Sequence, residues 1–314
     1  MSQPRRIALI GSTGMLGAAV VQAILARKDL FDLTILARSS SASKIPEGVR
    51  TIVVNSYDNP ESDEALIQGL RGHDVLVSTL NSAVAVEVEP KLVAAAIRAG
   101  VKHFMPSEYT LDVTHLSARE FGVGNFIGAR AGWADRLTEI ASSDHITYTT
   151  LVTGGLLDFG LKIGMLGFDL TNQTARLYDH GQNIVTACTV PFVADAVVVA
   201  LQMPYEQVKN KRISGAEVAY TGKDLLRTLE VVTGEQWRVE EVSTESARQK
   251  GKELLVEGNA RGAYLNFATA LNFDGCGAAN LTSGLEFGSG YNLQRRSLDK
   301  IVREAVRSIQ DWKK

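Results

Sequence analysis

The segment from Ile7 to Arg27 constrains the fold more than any other part of this chain. Four apolar residues, Ile7-Ala8-Leu9-Ile10, run directly into Gly11-Ser12-Thr13-Gly14-Met15-Leu16-Gly17, and a helical pattern from Ala18 to Arg27 follows. Glycines at such spacing mark many turns and alone mean little. A buried strand before the turn and a helix opening out of it narrow the reading to a strand–turn–helix unit whose backbone can approach a ligand closely. Small residues there let a pyrophosphate reach the main chain, and the exposed N–H groups and helix dipole favour its negative charge. Gly17 is expected to let the helix pack tightly on the sheet. The alternative is a tight turn that holds no ligand.

The remainder of the first half alternates strand-like and helix-like runs. Strands are expected at Leu33–Ala37, Thr51–Val54, Asp74–Thr79, Lys102–Met105 and Ile146–Val152. Helices are expected at Glu61–Leu70, from Pro90 (a favourable first-turn residue) to Gly100, and around Gly132–Ile140. That alternation predicts an α/β fold with a Rossmann-type, doubly wound parallel sheet. The second half is less regular. Gly154, Gly155, Gly160, Gly164 and Gly167 read as loops lining a cleft. A strand is expected at Ile184–Val190, a helix at Phe192–Gln202 and a last helix at Leu298–Trp312. With no repeat, charge block or Pro/Ser-rich linker visible, the halves are expected to pack together.

If the turn holds a dinucleotide, the end of the second strand selects which one. An NAD site usually carries an acid there for the ribose 2′-hydroxyl. This strand instead ends Leu36-Ala37-Arg38-Ser39-Ser40, with Lys44 close behind. A guanidinium can grip a 2′-phosphate bidentately, whereas a carboxylate would repel it. Arg38 and Lys44 therefore point to NADP(H), with Ser39 or Ser40 as further donors; two incidental cations on a solvated loop are the alternative.

Charge and composition exclude other classes. A formal net charge of −2 gives no long-range attraction to nucleic acid or anionic membrane. The two cysteines, Cys188 and Cys276, fit reduced thiols and exclude a cysteine-based zinc site. The five histidines lack metal-ligand spacing, so no metal is expected, and no Gly-x-Ser-x-Gly elbow supports an esterase. The apolar run after Pro4-Arg5-Arg6 is shorter than a secretory core, and Val190–Leu201 is broken by Pro191 and Asp195, so a cytoplasmic protein is expected.

Three segments together carry a resemblance: Gly11–Gly17 with Arg38, then Ser78-Thr79-Leu80-Asn81, then Lys102-His103-Phe104-Met105-Pro106-Ser107-Glu108-Tyr109. They resemble the isoflavone reductase-like, or NmrA-like, family of atypical short-chain dehydrogenase/reductases, over about Arg6 to Phe159. Ile146-Thr147-Tyr148-Thr149 and Gly154-Gly155 are similar to the family's sixth strand and cleft entrance. The resemblance implies an NADP-binding Rossmann domain, 1–157, and a smaller C-terminal substrate-binding region, 158–314, which returns elements to the first. It implies that Gly11, Thr13, Gly14, Met15, Leu16, Gly17, Arg38, Lys44, Thr79, Leu80, Asn81 and Ser107 hold the cofactor. The implied activity is NADPH-dependent reduction of a small aromatic or phenolic metabolite. The alternative from the same family is a regulator like NmrA that binds dinucleotide without turning it over.

The chain departs from the family at one chemically important place. Family reductases carry a catalytic lysine on the helix before the sixth strand, and the expected position falls on Ala131, beside Arg130. Arginine holds charge but does not give up a proton. Tyr109 and His115, both after the fifth strand, are the replacement proton donors nearest by position, with a packing aromatic and a loop histidine as their alternatives. Tyr205 and Lys209 form the lone Tyr-x-x-x-Lys spacing, beyond the sixth strand, where chance explains it better. His145 and His180 are weaker candidates in turns. Phe121, Phe126, Phe159 and Phe168 fit an aromatic pocket or the core equally well.

Overall fold

A computed structural model describes residues 5–54, 63–120 and 126–312. In chain order the elements begin β1 (Arg5–Ile10), α1 (Met15–Leu25), β2 (Phe31–Arg38), β3 (Arg50–Val54), α2 (Glu64–Leu70), β4 (Val75–Ser78), α3 (Ser82–Ala99) and β5 (His103–Met105). They continue with α4 (Leu116–Glu120), α5 (Phe126–Ala141), β6 (Thr147–Val152), β7 (Gly155–Leu156), α6 (Leu157–Lys162), β8 (Phe168–Asp169), β9 (Thr174–Tyr178) and β10 (Ile184–Cys188). The rest is α7 (Val190–Gln202), α8 (Tyr205–Val208), β11 (Lys211–Ser214), β12 (Val218–Thr221), α9 (Gly222–Thr233), β13 (Arg238–Val242), α10 (Thr244–Val256), α11 (Ala260–Phe273) and α12 (Leu298–Trp312).

The chain divides into two compact units. The first comprises Met1–Glu108, Gly132–Leu151 and Val193–Ile213; the second comprises Tyr109–Ala131, Val152–Phe192 and Ser214–Lys314. The first unit is built on the seven-stranded sheet, in the order β11-β6-β5-β4-β1-β2-β3. The β1–β2, β2–β3, β1–β4, β4–β5 and β5–β6 pairs are all parallel. This is the expected α/β Rossmann-type arrangement. Ile7, Ala8, Leu9 and Ile10 are each 0% exposed, which explains the unbroken apolar run: a central parallel strand is covered on both faces. One side of its core joins Ile10, Leu36, Leu76 and Phe104 to Leu66, Leu70, Leu92 and Leu137. The second unit has two three-stranded sheets, β12-β10-β7 and β13-β9-β8, and its own core around Leu157, Phe168, Leu225, Phe267 and Val302.

Several boundaries differ from expectation for identifiable reasons. α1 starts at Met15, inside the glycine turn, and not at Ala18. α3 starts at Ser82, where the Asn81 side chain accepts the Ala83 N–H at 3.0 Å, so Pro90 lies inside the helix and does not open it. Gly100 does close it, at φ 84°. α2 begins after Asp63, whose carboxylate accepts the Leu66 N–H; the expected start at Glu61 lies outside the described residues. β10 ends at Cys188, because α7 already starts at Val190, whose N–H is accepted by the Asp158 carboxylate. The glycine-spaced stretch is only partly loop. Gly155 is in β7, and Gly160 sits within α6, where a Cβ would meet Leu166 Cδ1 at 3.0 Å. Phe168 is a core residue with its ring 6.4 Å from that of Trp237, and Phe159 is half-buried. Phe121 and the Phe126 side chain lie outside the described residues.

Candidate functional site

Strand order changes direction at β1, which lies between β2 and β4, and the crevice beyond the carboxyl ends of such strands is where open α/β sheets bind ligands. Gly11 leaves β1 there and Thr79 leaves β4 beside it. The Thr79 N–H and hydroxyl both donate to the Ile10 carbonyl, at 2.9 and 2.8 Å, so the threonine backs the turn.

The three glycines of the turn differ physically. Gly11 has φ +91°, and a Cβ there would lie 2.6 Å from the Thr79 backbone. A Cβ on Gly17 would lie 2.7 Å from Thr79 Oγ1 and would overlap the Gly11 carbonyl. Both positions are closed to side chains by the protein itself. Gly14, with φ −75° and ψ 163°, has backbone angles open to any residue, and its Cβ would meet only Gly11 O at 3.4 Å. The space beside Gly14 is therefore free of protein.

Gly14 also caps α1, an 11-residue helix with no side-chain cap and no acid in its first turn. By contrast, α2, α3, α9, α10 and α11 each carry a capping side chain. An uncapped helix start leaves N–H donors and a positive dipole end available to an anion. Thr13 and Gly14 stand exposed, and Met15 is 46% exposed, leaving apolar surface at the same end; Leu16 is half-buried. Arg38 is the exposed last residue of β2, at the same edge, and the 3-10 turn Ser39–Lys44 carries exposed Lys44.

The Pro106-Ser107-Glu108 segment is tied down by its own side chains. Ser107 donates its hydroxyl to the Leu80 carbonyl at 2.8 Å and its N–H to Glu89 Oε1 at 2.8 Å. Glu108, 4% exposed, is in an ion pair with Arg212 on β11. The structure thus brings Gly11–Gly17, Arg38, Thr79, Leu80, Asn81 and Ser107 to one edge of one sheet. Glu89 and Arg212 were not anticipated from the sequence. The available signal for Glu89 was its place among Ala85, Val88, Leu92 and Ala96, an acid on the apolar face of a helix.

Tyr109 opens the second unit and is buried, 8% exposed. Half-buried His115 has Nδ1 2.8 Å from Ser117 Oγ, which also accepts from Cys276 Sγ at 2.8 Å. The Nε2 side of that ring lies against Gly277, where a Cβ would come within 3.1 Å of it. Burial raises the Cys276 thiol pKa. Arg130 and Ala131 are both buried, at 6% and 3% exposure. Tyr205 lies at the opposite edge of the sheet from Gly11, its hydroxyl 2.8 Å from Thr147 Oγ1 at the start of β6, with Lys209 Nζ 5.7 Å from its ring centre. That pair is remote from the glycine turn. His180 is exposed and 2.8 Å from Glu241, and His145 is exposed. Among the described residues no cluster of three or more His, Cys, Asp or Glu side chains could hold a metal ion, and no helix is long and apolar enough to cross a membrane.

A parallel sheet ordered 3-2-1-4-5-6, with a glycine turn and an uncapped helix at its switch point, defines a Rossmann-type nucleotide fold. Residues 3–127 match the NmrA-like family. Oxidoreductase aprR of Aspergillus flavus is 28% identical over 306 residues, covering 98% of this chain and 96% of that protein. Isoflavone reductase homolog IRL of Zea mays is 28% identical over 265 residues, covering 80% of this chain and 82% of its own. The leucoanthocyanidin reductase–NADPH binary complex from Vitis vinifera superposes with a TM-score of 0.74 at 18% identity, covering 96% of this chain and 99% of that one. The chain is similar to the NmrA-like family over residues 3–127 and to an isoflavone reductase homologue over most of its length.

Proposed function

We propose that this protein is an NADPH-dependent oxidoreductase that reduces a small aromatic or phenolic metabolite. Gly14 carries the reading: it is a glycine that the protein's own packing does not require, placed where a pyrophosphate would press on an uncapped helix start. The names of its relatives, an oxidoreductase and an isoflavone reductase homologue, support the same class of chemistry.

In this reading Gly11, Thr13, Gly14, Met15, Leu16 and Gly17 receive the pyrophosphate, and Arg38 with Lys44 bind the 2′-phosphate. Thr79, Leu80, Asn81 and Ser107 hold the inner wall of the groove. When bound, the nicotinamide supplies the hydride. The second unit, with residues 158–314 as its main part, binds the substrate. Tyr109 or His115 places a proton donor or an ordered water within hydrogen-bond reach of the acceptor. Tyr109 enters the second unit directly behind Ser107 and Glu108, which are both fixed by side-chain bonds. His115 has Nδ1 engaged by Ser117, so it acts through that hydroxyl or by moving away from it.

The test is NADPH oxidation against a panel of phenolic ketones, enones and benzylic ethers, with NADPH and NADH titrated in parallel. Tighter binding of NADPH and turnover of one panel class support the proposal; equal affinity for both dinucleotides refutes the cofactor assignment. A second reading, a dinucleotide-responsive regulator, is favoured by alanine at the family lysine position, with buried Arg130 beside it. NADPH binding without turnover of any panel member would select it.

A further inference from the structure

Glu89 is 1% exposed on the inner face of α3 and joins two other elements. Its Oε1 accepts the Ser107 N–H at 2.8 Å, and its Oε2 accepts Trp133 Nε1–H at 2.7 Å. Ser107 in turn donates its hydroxyl to the Leu80 carbonyl at 2.8 Å. Ser107 and Trp133 are themselves buried, at 8% and 7% exposure. A carboxylate has two acceptor oxygens and here turns each toward a different N–H donor. The chain of bonds runs from α5 through Glu89 to the residue after Pro106 and on to the segment that follows β4.

We propose that Glu89 is a positioning residue, which fixes the Leu80–Asn81 wall of the nucleotide groove in register with α5. The inference rests on the NADPH reading above. α5 carries Ala131 and Arg130 two and three residues before Trp133, so the same carboxylate also sets the helix turn on which family reductases place their lysine. Charge suits the task, because a hydrogen bond to an ionised acceptor is shorter and stronger than a neutral one. A glutamine in the same place would turn an N–H₂ group toward one of the two donors, so it would keep one bond and break the other.

Three variants test this, read by NADPH affinity, hydrogen exchange and melting. Glu89→Gln, Trp133→Phe and the double variant are compared by NADPH affinity, and by hydrogen exchange at the Ser107 amide without ligand. Each single variant is expected to weaken NADPH binding about tenfold, with a Ser107 amide that exchanges about tenfold faster in Glu89→Gln. In the double variant no indole N–H competes for the glutamine oxygen, so the amide can turn that oxygen to the Ser107 N–H and the affinity should fall less than the product of the single losses. A Glu89→Gln protein that melts earlier but binds NADPH as tightly as wild type overturns the positioning role and leaves a packing role. Unchanged Ser107 exchange in Glu89→Gln overturns the linkage itself. If the wild type binds no NADPH while Ser107 exchange responds as expected, the functional reading fails and the linkage stands.

Discussion

An added methyl group at Gly11 or Gly17 runs into Thr79 or the Gly11 carbonyl, whereas at Gly14 it meets only Gly11 O at 3.4 Å. Substitutions within one turn therefore separate folding from binding. Gly17→Ala is expected to destabilise the protein by about 3 kcal/mol, the upper end of overpacking, seen as a lower urea midpoint. Gly14→Val should leave circular dichroism and the urea midpoint nearly unchanged, because φ −75° and ψ 163° suit valine, while abolishing NADPH binding. Retained affinity would place the dinucleotide elsewhere. At the edge of β2, Arg38→Ala should reduce NADPH affinity about ten- to a hundredfold and leave NADH affinity unchanged, through loss of a charge-assisted contact of about 1.5–3 kcal/mol. Spacing and flanking pattern made the turn legible in the sequence. They could not assign different roles to its glycines, because that depends on Thr79, 62 to 68 residues further along. For Glu89 the pattern offered only an acid on an apolar helix face; its role depends on donors 18 and 44 residues away.

Elements were most legible where burial is symmetrical. The Ile7–Ile10 part of β1 and the Val75–Val77 part of β4 are covered on both faces and appear in the sequence as unbroken apolar runs. α3 was misread because proline is favourable at a first helical turn, and that preference outweighed the cap that Asn81 provides. Inside a helix, proline removes an N–H and crowds the carbonyl four residues back, here Val86. Pro90→Ala is therefore expected to raise stability by about 1–3 kcal/mol in urea melts; a destabilised variant would mean that neighbouring side chains are packed against the proline ring. The Glu108–Arg212 pair holds the end of β5 to β11, with side-chain exposures of 5% and 22%. Arg212→Met should cost about 3 kcal/mol by leaving Glu108 buried without its counter-charge, and Glu108→Gln in that background should recover part of the loss.

At the scale of the whole molecule, acid sensitivity has an identifiable source. His103 starts β5 with Nδ1 2.8 Å from Thr147 Oγ1 and Nε2 2.9 Å from Thr149 Oγ1. Burial, with a smaller contribution from Arg5, pushes its pKa down to about 4, so it is neutral in the folded protein at pH 7. A depressed folded value means that the unfolded chain takes up the proton first. The stabilisation is complete above about pH 6.5 and is lost as pH falls toward 4, a loss of up to about 3 kcal/mol. His103→Asn should flatten the decline in unfolding free energy between pH 7 and 4.5; an unchanged slope would assign that decline to other groups. Turnover belongs to the same scale. Tyr109→Phe or His115→Ala should reduce kcat about 10²–10⁴-fold with NADPH affinity unchanged if that residue is the donor. If both leave kcat intact, solvent supplies the proton.

The interleaving of the two units bears on how the protein is made. Glu108 and Arg212 stand 104 positions apart, and the edge strand that carries Arg212 belongs to the third chain segment of the first unit. At about 5–20 residues per second, a ribosome needs roughly 5–20 s to pass from one to the other. For that interval the nascent seven-stranded sheet lacks its last strand, and Glu108 lacks the charge that allows its burial. A chain released at residue 157 would remain in that state permanently, so the seven-stranded sheet is completed only after most of the protein has been synthesised.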